Sequence, residues 1–478
     1  MRVILSIAIF FLAHSNLFGQ EHFDNAMMTQ GLNGDSVKSV KDLFNASQWH
    51  FHSRTFYMNT VNEGALKDDY ALAQGAGIGL VTSPFHGFQM GLSGYFIFNV
   101  WSSDLSQRDL ITQGANRYEI GQFDVLNRNN RHNLDRLEDL YFRYTKRHFT
   151  ATIGRMTLET PFVNMQDGRM RPTLEEGLWF SQTSKDNQWK FQGGVIWGIS
   201  PRSTVDWFKL RESIGPYGTG VNVFGEKIPV EIEDKASVLV LVNPEIKVSN
   251  NLKISYWNAY FQNVMNTSMI EGKFSFHSSA GEQFINAMWI HQNAIGNGGN
   301  DDEALSYIQE GASSNVISAQ IGMKRSNLNF NLNYTHILDG GRYLMPREWG
   351  RDPFYTFMSR ERNEGMANVH AYTTQITKNA GPSFKFGIGL GYYRLPSVTN
   401  FLQNKYGMPS YGQVNTFATY KFKGAWEGME LRFLIAAKNE MSNEILSAKN
   451  KINKVNMINS NLVLDFHLLL NVFSLSLY

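Results

Sequence analysis

Three arginines and one aspartate crowd a polar stretch of the chain that also holds two prolines. Residues 150–180 read TATIGRMTLETPFVNMQDGRMRPTLEEGLWF and carry Arg155, Asp167, Arg169 and Arg171. Such groups cannot be buried in a dry core without a large desolvation cost, so the segment requires a wet cavity. Arginines set against carboxylates there create a transverse field that orients small charged or zwitterionic solutes. We therefore expect these residues to select small solutes by their charge.

A second stretch of the same character lies at residues 342–360. Its chemically active side chains are Arg342, Arg347, Glu348, Arg351, Asp352, Tyr355 and Arg360. Carboxylates that could face the arginines of the first stretch are Asp167, Glu175 and Glu176. The alternative interpretation is that these charges pair with one another and hold the loops in place, since salt-bridged loop arginines are common. Spacing alone does not decide between the two.

Other residue patterns give little indication of covalent chemistry. His50 and His52 share one strand face, but no third ligand lies nearby in the sequence, so we predict a wet pair rather than a metal site. The glycines of residues 75–79 lack the G-x-G-x-x-G spacing and no helix follows, which indicates close packing against the inward loop or sharp strand coiling. Nor does a set of Ser, His and acidic residues stand out on adjacent strands. The sequence predicts no catalytic residue, no cofactor and no metal.

Two segments carry a family resemblance. Residues 154–177, GRMTLETPFVNMQDGRMRPTLEEG, resemble the segment after the fifth strand of OprD-like outer-membrane porins, where it folds inward and narrows the pore. Residues 344–355, LMPREWGRDPFY, resemble the same family. The resemblance implies an 18-stranded barrel that passes small polar nutrients by diffusion. It also implies a guiding ladder of basic residues, for which the candidates are Arg155, Arg169, Arg171, Arg347 and Arg351, with a constriction completed by Asp167, Glu175, Glu348, Asp352 and Tyr355.

The elements that must position these residues are strands. Period-two alternation begins at Trp49, and eighteen candidate strands follow, many of them 11 to 14 residues long. Soluble sheets have strands of about 5 to 6 residues, whereas about 9 to 11 tilted residues cross a bilayer. Tight and long connections alternate along the chain, and a sheet in lipid has to close on itself. We predict an all-β fold, a closed antiparallel transmembrane β-barrel of about 18 strands, with short periplasmic turns, long extracellular loops and one loop folded into the lumen.

The strand phase also places two arginines. Arg54 and Arg143 lie mid-strand, on the faces opposite neighbouring aromatic residues. An arginine on the lipid face costs roughly 2 to 4 kcal/mol at the bilayer midplane. Both are therefore predicted to face the lumen, the alternative being a position at the rim, where the cost is close to nothing.

Composition fits this architecture. The chain has 478 residues, 42% of them hydrophobic and 13% aromatic, with no cysteine and a formal net charge of +2. Absence of cysteine excludes disulfides and thiolate metal sites, and the near-neutral charge gives no nucleic-acid footprint. No linker-like segment divides the chain, which favours one large domain.

The predicted order of segments follows from hydropathy. Residues 1–19 contain one cation and an apolar run too short to cross a bilayer as a helix, and they predict a signal peptide. Residues 20–48 are predicted to lead in from the periplasm and 49–468 to form the barrel. Residues 469–478 are expected to extend the last strand or to form a tail.

Together these observations predict a porin in the outer membrane of a Gram-negative bacterium. Small polar or charged nutrients, such as amino acids or carboxylates, would diffuse through it passively. The expected partners are these solutes, outer-membrane lipid and lipopolysaccharide, and the barrel-assembly machinery, with the protein a monomer or loose oligomer. The alternatives are a barrel hydrolase acting on lipid and a surface adhesin or receptor.

Overall fold

A computed structural model describes residues 37, 39, 43, 46–166, 168–233 and 235–471. The predicted signal peptide, nearly all of the predicted periplasmic segment, Asp167 and the tail after residue 471 lie outside the described residues. Within the described part, no helix is long and apolar enough to cross a membrane.

The described chain is built from strands that all pair antiparallel with their neighbours. They are β1 (Gln48–Asn62), β2 (Asp69–Val81), β3 (Phe88–Ser102), β4 (Leu134–Lys146), β5 (Phe149–Met156), β6 (Leu174–Thr183), β7 (Trp189–Ser200), β8 (Phe208–Lys209), β9 (Leu239–Lys247), β10 (Leu252–Phe261), β11 (Met265–Ser278), β12 (Gly281–Ala294), β13 (Ser313–Arg325), β14 (Leu328–Ile337), β15 (Val369–Ala380), β16 (Phe384–Arg394), β17 (Tyr411–Lys421), β18 (Met429–Glu440) and β19 (Met457–Asn471).

The sheet closes because the first strand pairs with the last. β1 pairs with β19 from Gln48↔Asn471 to Asn62↔Met457, and it pairs with β2 on its other side. β7 pairs directly with β9, so the two-residue β8 is a side pairing on β7 and every other strand belongs to the ring. The prediction of a closed antiparallel barrel with 18 strands is confirmed. Closure leaves no edge whose backbone groups lack a partner, which lipid could not supply.

Apolar side chains lie on the outer face of the sheet and polar side chains on its inner face, the reverse of a soluble protein. Ile376 on β15 and Ile388 on β16 are 44% and 39% exposed and point outward, as do many other large apolar residues along the strands. Gln375 and Arg54 are 6% and 2% exposed and belong to the inner face. A sheet with an apolar outer face and a polar inner face suits a barrel that has lipid outside and water or polar loops inside.

Connections separate the two rims of the barrel. Short turns join β4 to β5, β11 to β12 and β13 to β14 at one rim. At the other rim the connections are mostly long, and they include residues 103–133, 157–173, 201–238, 338–368 and 395–410. The exceptions at this rim are the connections 63–68, between β1 and β2, and 262–264, between β10 and β11.

The assignment of apolar residues to the outer face and polar residues to the inner face can be tested with neighbouring residues of β15. We expect Ile376→Arg to destabilise the folded barrel by about 2 to 4 kcal/mol, because the charge would enter the lipid-facing belt. Gln375→Arg is the matched control, since its side chain points into the polar interior. Equilibrium urea unfolding in phospholipid vesicles measures both changes. Equal losses for the two variants would contradict the assignment of faces.

Candidate functional site

The two arginine-rich loops predicted from the sequence meet inside the barrel. Asn164 in the 157–173 loop donates its backbone N–H to the carbonyl of Trp349 at 2.8 Å. Its side-chain oxygen accepts the N–H of Arg351 at 2.9 Å, and its amide nitrogen donates to the Arg351 carbonyl at 3.1 Å. The Asn164 side chain therefore hydrogen-bonds the Arg351 backbone as a neighbouring strand would. It joins the two loops at positions 187 residues apart in the sequence.

The 338–368 loop spans the lumen. At one wall, the Tyr355 hydroxyl donates to Glu271 of β11 at 2.5 Å. At the far wall, Arg360 donates to the side-chain oxygens of Asn459 and Asn461 on β19, at 2.7 and 2.6 Å. β11 and β19 are separated by seven intervening strands of the ring, β12 to β18. The loop thus crosses the interior from wall to wall.

Two further long loops contribute to the interior, which the sequence analysis did not predict. Glu119 in the 103–133 loop accepts the Thr60 hydroxyl of β1 at 2.5 Å. In the 201–238 loop, the N–H groups of Gly215 and Tyr217 donate to Glu348 at 3.0 and 2.9 Å. The loop predicted to fold into the lumen does so, and the structure adds three further long loops to the interior. Two features of the sequence could have indicated this, since both connections are long and both contain apolar residues. Ile120 and Leu210 are examples, and both are buried in the structure.

Five arginines from these four loops converge at the constriction, and we call them the cationic cluster. They are Arg117, Arg169, Arg202, Arg360 and Arg362, and their charges act on one another. Their recorded hydrogen bonds go to uncharged oxygens, namely backbone carbonyls, the Tyr217 hydroxyl for Arg202 and asparagine side chains for Arg360. The ion pairs recorded among the described residues do not include any of the five. The cluster is thus a concentration of positive charge without a contacting carboxylate in the described chain.

Burial and mutual repulsion both affect the acid–base properties of the cluster. Burial and the Arg360 charge lower the pKa of Arg169 to about 9. Burial and the Arg169 charge lower the pKa of Arg202 to about 9 as well. Both guanidinium groups stay protonated at neutral pH, so their electrostatic strain is relieved by bringing an anion close.

Three predicted carboxylates hold loop backbone. Glu175 accepts the N–H of Leu158 at 2.8 Å, and Asp352 accepts that of Asn363 at 2.9 Å. Glu348, as described above, accepts two N–H groups of the 201–238 loop. Burial raises the pKa of both Glu348 and Asp352. These contacts match the alternative interpretation, in which charged groups fix the loops.

Three predicted arginines are likewise engaged. Arg347 forms an ion pair with Glu364 at 2.5 Å and lies over the ring of Tyr406 at 3.7 Å, and these groups raise its pKa despite burial. Arg351 reaches Glu159 at 3.4 Å. Arg171 is 1% exposed and donates to the carbonyl of Leu134 at 3.3 Å. Burial and the Arg136 charge lower the pKa of Arg171 to about 9.

The structure does not bring Arg155 to the constriction. Arg155 pairs across the sheet with Leu140 and Glu176, and Leu140 is 44% exposed on the outer face. Its guanidinium contacts Glu176 at 3.3 Å and lies over Trp207 at 4.5 Å. Gly154 precedes it, and strand alternation turns the next side chain outward. A basic residue that is next to a loop motif in the sequence can therefore face the outside of the barrel.

Arg54 and Arg143 lie on the inner wall. Arg54 donates to Asp465 of β19 at 2.6 Å and to the carbonyl of Arg169 at 2.7 Å, which ties the 157–173 loop to the wall. Arg143 is 7% exposed and donates to the Thr152 hydroxyl at 3.2 Å.

In the folded chain, His52 has neighbours on β19 that the sequence spacing could not reveal. His52 stacks on His467 with ring centroids 4.2 Å apart and lies 3.3 Å from Asp465. These three side chains have ligand atoms within 4.8 Å of one another. Asp465, however, already accepts hydrogen bonds from Arg54 and Arg432 at 2.6 and 2.5 Å. We therefore assign this cluster to the ion-pair network of the wall.

Glycines on β2 make room for inward side chains. A Cβ at Gly75 would lie 2.5 Å from the Tyr95 hydroxyl oxygen, and one at Gly79 would lie 2.0 Å from the His50 ring. The segment is closely packed, but the groups packed on these glycines are side chains of the wall and not the inward loop that the sequence suggested.

Comparison with solved structures gives the class of fold. OccK8 (OprE) of Pseudomonas aeruginosa aligns over 90% of this chain and 99% of its own, with a TM-score of 0.68 and 12% identity. OccAB4 of Acinetobacter baumannii aligns over 89% and 98%, with a TM-score of 0.64 and 15% identity. OpdK of P. aeruginosa, solved with vanillate, aligns over 90% and 100%, with a TM-score of 0.64 and 12% identity.

The chain therefore has the fold of the OprD/Occ porins, as the sequence resemblance implied. These neighbours are channels rather than enzymes. No protein-family model and no curated protein sequence matches the chain.

The joint between the two inward loops can be tested at Asn164. We expect Asn164→Ala to cost about 1 to 3 kcal/mol, because it leaves buried backbone groups of Arg351 without partners. Freed from each other, the loops should give a larger and noisier single-channel current in planar bilayers. Asn251→Ala, at an exposed turn, is the control. Unchanged current in Asn164→Ala, with the protein folded, would show that this joint does not shape the pore.

Proposed function

We propose that this protein is a passive outer-membrane porin of a Gram-negative bacterium that favours small anionic solutes, carboxylates in particular. The observation that carries the proposal is the cationic cluster, in which five guanidinium groups from four loops converge without a contacting carboxylate among the described residues. A constriction of this sign attracts anions and repels cations. The barrel supplies the water path, and the loops supply the selectivity.

The chemistry of the cluster favours carboxylates over simple halides. A guanidinium presents planar, paired N–H donors that match the two oxygens of a carboxylate. Arg202 and Arg362 are partly exposed, so terminal N–H groups of each can meet a passing solute. The OpdK structure with vanillate supports the same solute class for this chain.

Rapid passage needs weak binding at each point of the path. Several arginines placed in succession allow an anion to exchange one partner for the next without a deep energy minimum. Arg117 is exposed, while Arg202, Arg360 and Arg362 are partly exposed. The cluster therefore forms a graded contact surface, and the predicted constriction residues Glu175, Glu348 and Asp352 act as its scaffold.

Ion selectivity tests the proposal at Arg360. In a planar bilayer with a tenfold KCl gradient, the wild-type reversal potential should have the sign of anion preference. Arg360→Gln keeps a hydrogen-bonding side chain toward Asn459 but removes one charge, so the potential should shift toward zero. Arg325→Gln, at an exposed turn of the opposite rim, is the control. Cation preference in the wild type would overturn the proposal.

The preference should also depend on pH. Burial and the Asp352 charge raise the pKa of Glu361 to about 8, so this carboxyl holds its proton below that pH. Burial lowers the pKa of Lys405 and of Lys454 to about 8. From pH 6 to pH 9 the constriction thus gains a negative charge and loses positive ones, and anion preference should fall with a midpoint of about 8.

Glu361→Gln isolates one contribution to this change. The variant cannot gain the negative charge, so its reversal potential should change less between pH 6 and pH 9 than that of the wild type. The contributions of the lysines and, near pH 9, of Arg169 and Arg202 would remain. If the two proteins give the same pH profile, Glu361 does not titrate at the constriction.

A further inference from the structure

The outer surface of the barrel carries a polar cluster that the solute path does not use. It lies where β14, β15 and β16 reach the rim of long loops, and it consists of His336, His370 and Arg394. The three residues are direct cross-strand neighbours, His336↔His370↔Arg394. The two imidazole rings stack at 4.1 Å. All three side chains belong to the outward phase of their strands, together with the exposed Leu332, Tyr372 and Leu390 of the same three strands.

The charge of this cluster is positive and is not balanced on the spot. The charged groups that act on His370 are His336 and Arg394, which are both basic. Arg394 is exposed and takes part in none of the ion pairs recorded for the described residues. At the same rim, the outward-facing Arg155 is instead paired with Glu176 at 3.3 Å. Arg394 is thus left with donors and charge for an external anion.

A belt of tyrosines lies directly below the cluster, one step further into the membrane. Tyr334 and Tyr372 are cross-strand partners with ring centroids 5.0 Å apart, and Tyr372 stacks on Tyr392 at 6.5 Å. The Tyr334 hydroxyl is within 2.9 Å of His370 Nδ1, which links the belt to the cluster. Tyrosine rings typically mark the level at which headgroups meet acyl chains.

An apolar groove continues below the tyrosines. It has a volume of about 630 Å³ and is lined by Ile321, Leu332 and Leu390 together with the tyrosine rings. This volume lies within the range of about 300 to 1,000 Å³ that is usual for small-molecule sites. Ala319 faces Tyr334 across the strands, and its small side chain leaves space where a larger residue would fill the surface.

From the rim inward, the surface therefore presents cationic donors, aromatic rings and an apolar groove. That is the order of phosphate, glycosyl or glycerol region and acyl chain in an anionic lipid. We propose that this face binds a phosphorylated, acylated glycolipid of the outer leaflet. Its phosphate contacts Arg394 and the imidazoles, and one acyl chain occupies the groove. The inference rests on the barrel lying in an outer membrane and not on which solute passes through the lumen.

Native mass spectrometry of the full chain in mild detergent tests this site. The probe is bis-phosphorylated lipid A, and the comparison ligand is the same lipid with its phosphates removed. We expect the wild type to retain the phosphorylated form. Arg394→Gln should bind it about tenfold more weakly, because one charge-assisted hydrogen bond to phosphate is lost. Ala319→Phe should also weaken binding, by filling the groove while the charges remain.

The matched control is Arg155→Gln, at the same rim and on the same face, which should bind lipid A as the wild type does. Resistance to unfolding by detergent at room temperature verifies that each variant is folded. Equal binding by wild type and Arg394→Gln, or equal binding of the dephosphorylated lipid, would overturn the proposal. A second copy of the chain on this face would do so too, and Thr374→Cys cross-linking in membranes would reveal that dimer.

Discussion

Backbone hydrogen bonding in lipid is the constraint on which the rest of this structure depends. A strand in a bilayer has no water to satisfy its N–H and C=O groups, so the sheet must end where it began. The pairing of β1 with β19 over the whole length of β1 meets this requirement. Closure then fixes an inside and an outside, and the period-two alternation of each strand sends apolar residues to one and polar residues to the other.

An enclosed polar wall makes the inward loops stable. The long loops enter a cavity whose walls offer hydroxyls, amides and charged groups, and they bond to these with both backbone and side chains. The 338–368 loop meets Glu271, Thr335 and Asn461, on three different strands. Charged residues of the loops thereby divide into two kinds. Some, such as Glu348 and Asp352, accept hydrogen bonds from loop backbone, and others, such as Arg202 and Arg362, are partly exposed.

Because apolar residues face outward, the few polar residues on the outer surface are under a special constraint. Outward positions are mostly apolar, so a polar group there requires either a partner or a position near the headgroups. Arg155 has Glu176 as its partner. Arg394 instead sits beside His370 at the rim. The lumen and the lipid face are separated by a single layer of strands, and yet alternate residues of one strand, such as Thr373 and Tyr372, serve the two environments independently.

The sequence by itself determined the barrel, its approximate strands and the inward course of one arginine-rich loop, because alternation and connection length are local properties. It placed Arg54 and Arg143 by phase for the same reason. Only the tertiary structure decided which charges remain available, since this depends on contacts between distant residues. Arg54 and Asp465 are 411 residues apart, and the five arginines of the cationic cluster come from four different loops. Local spacing carries no information about such meetings, because the closed ring, and not the chain order, brings them together.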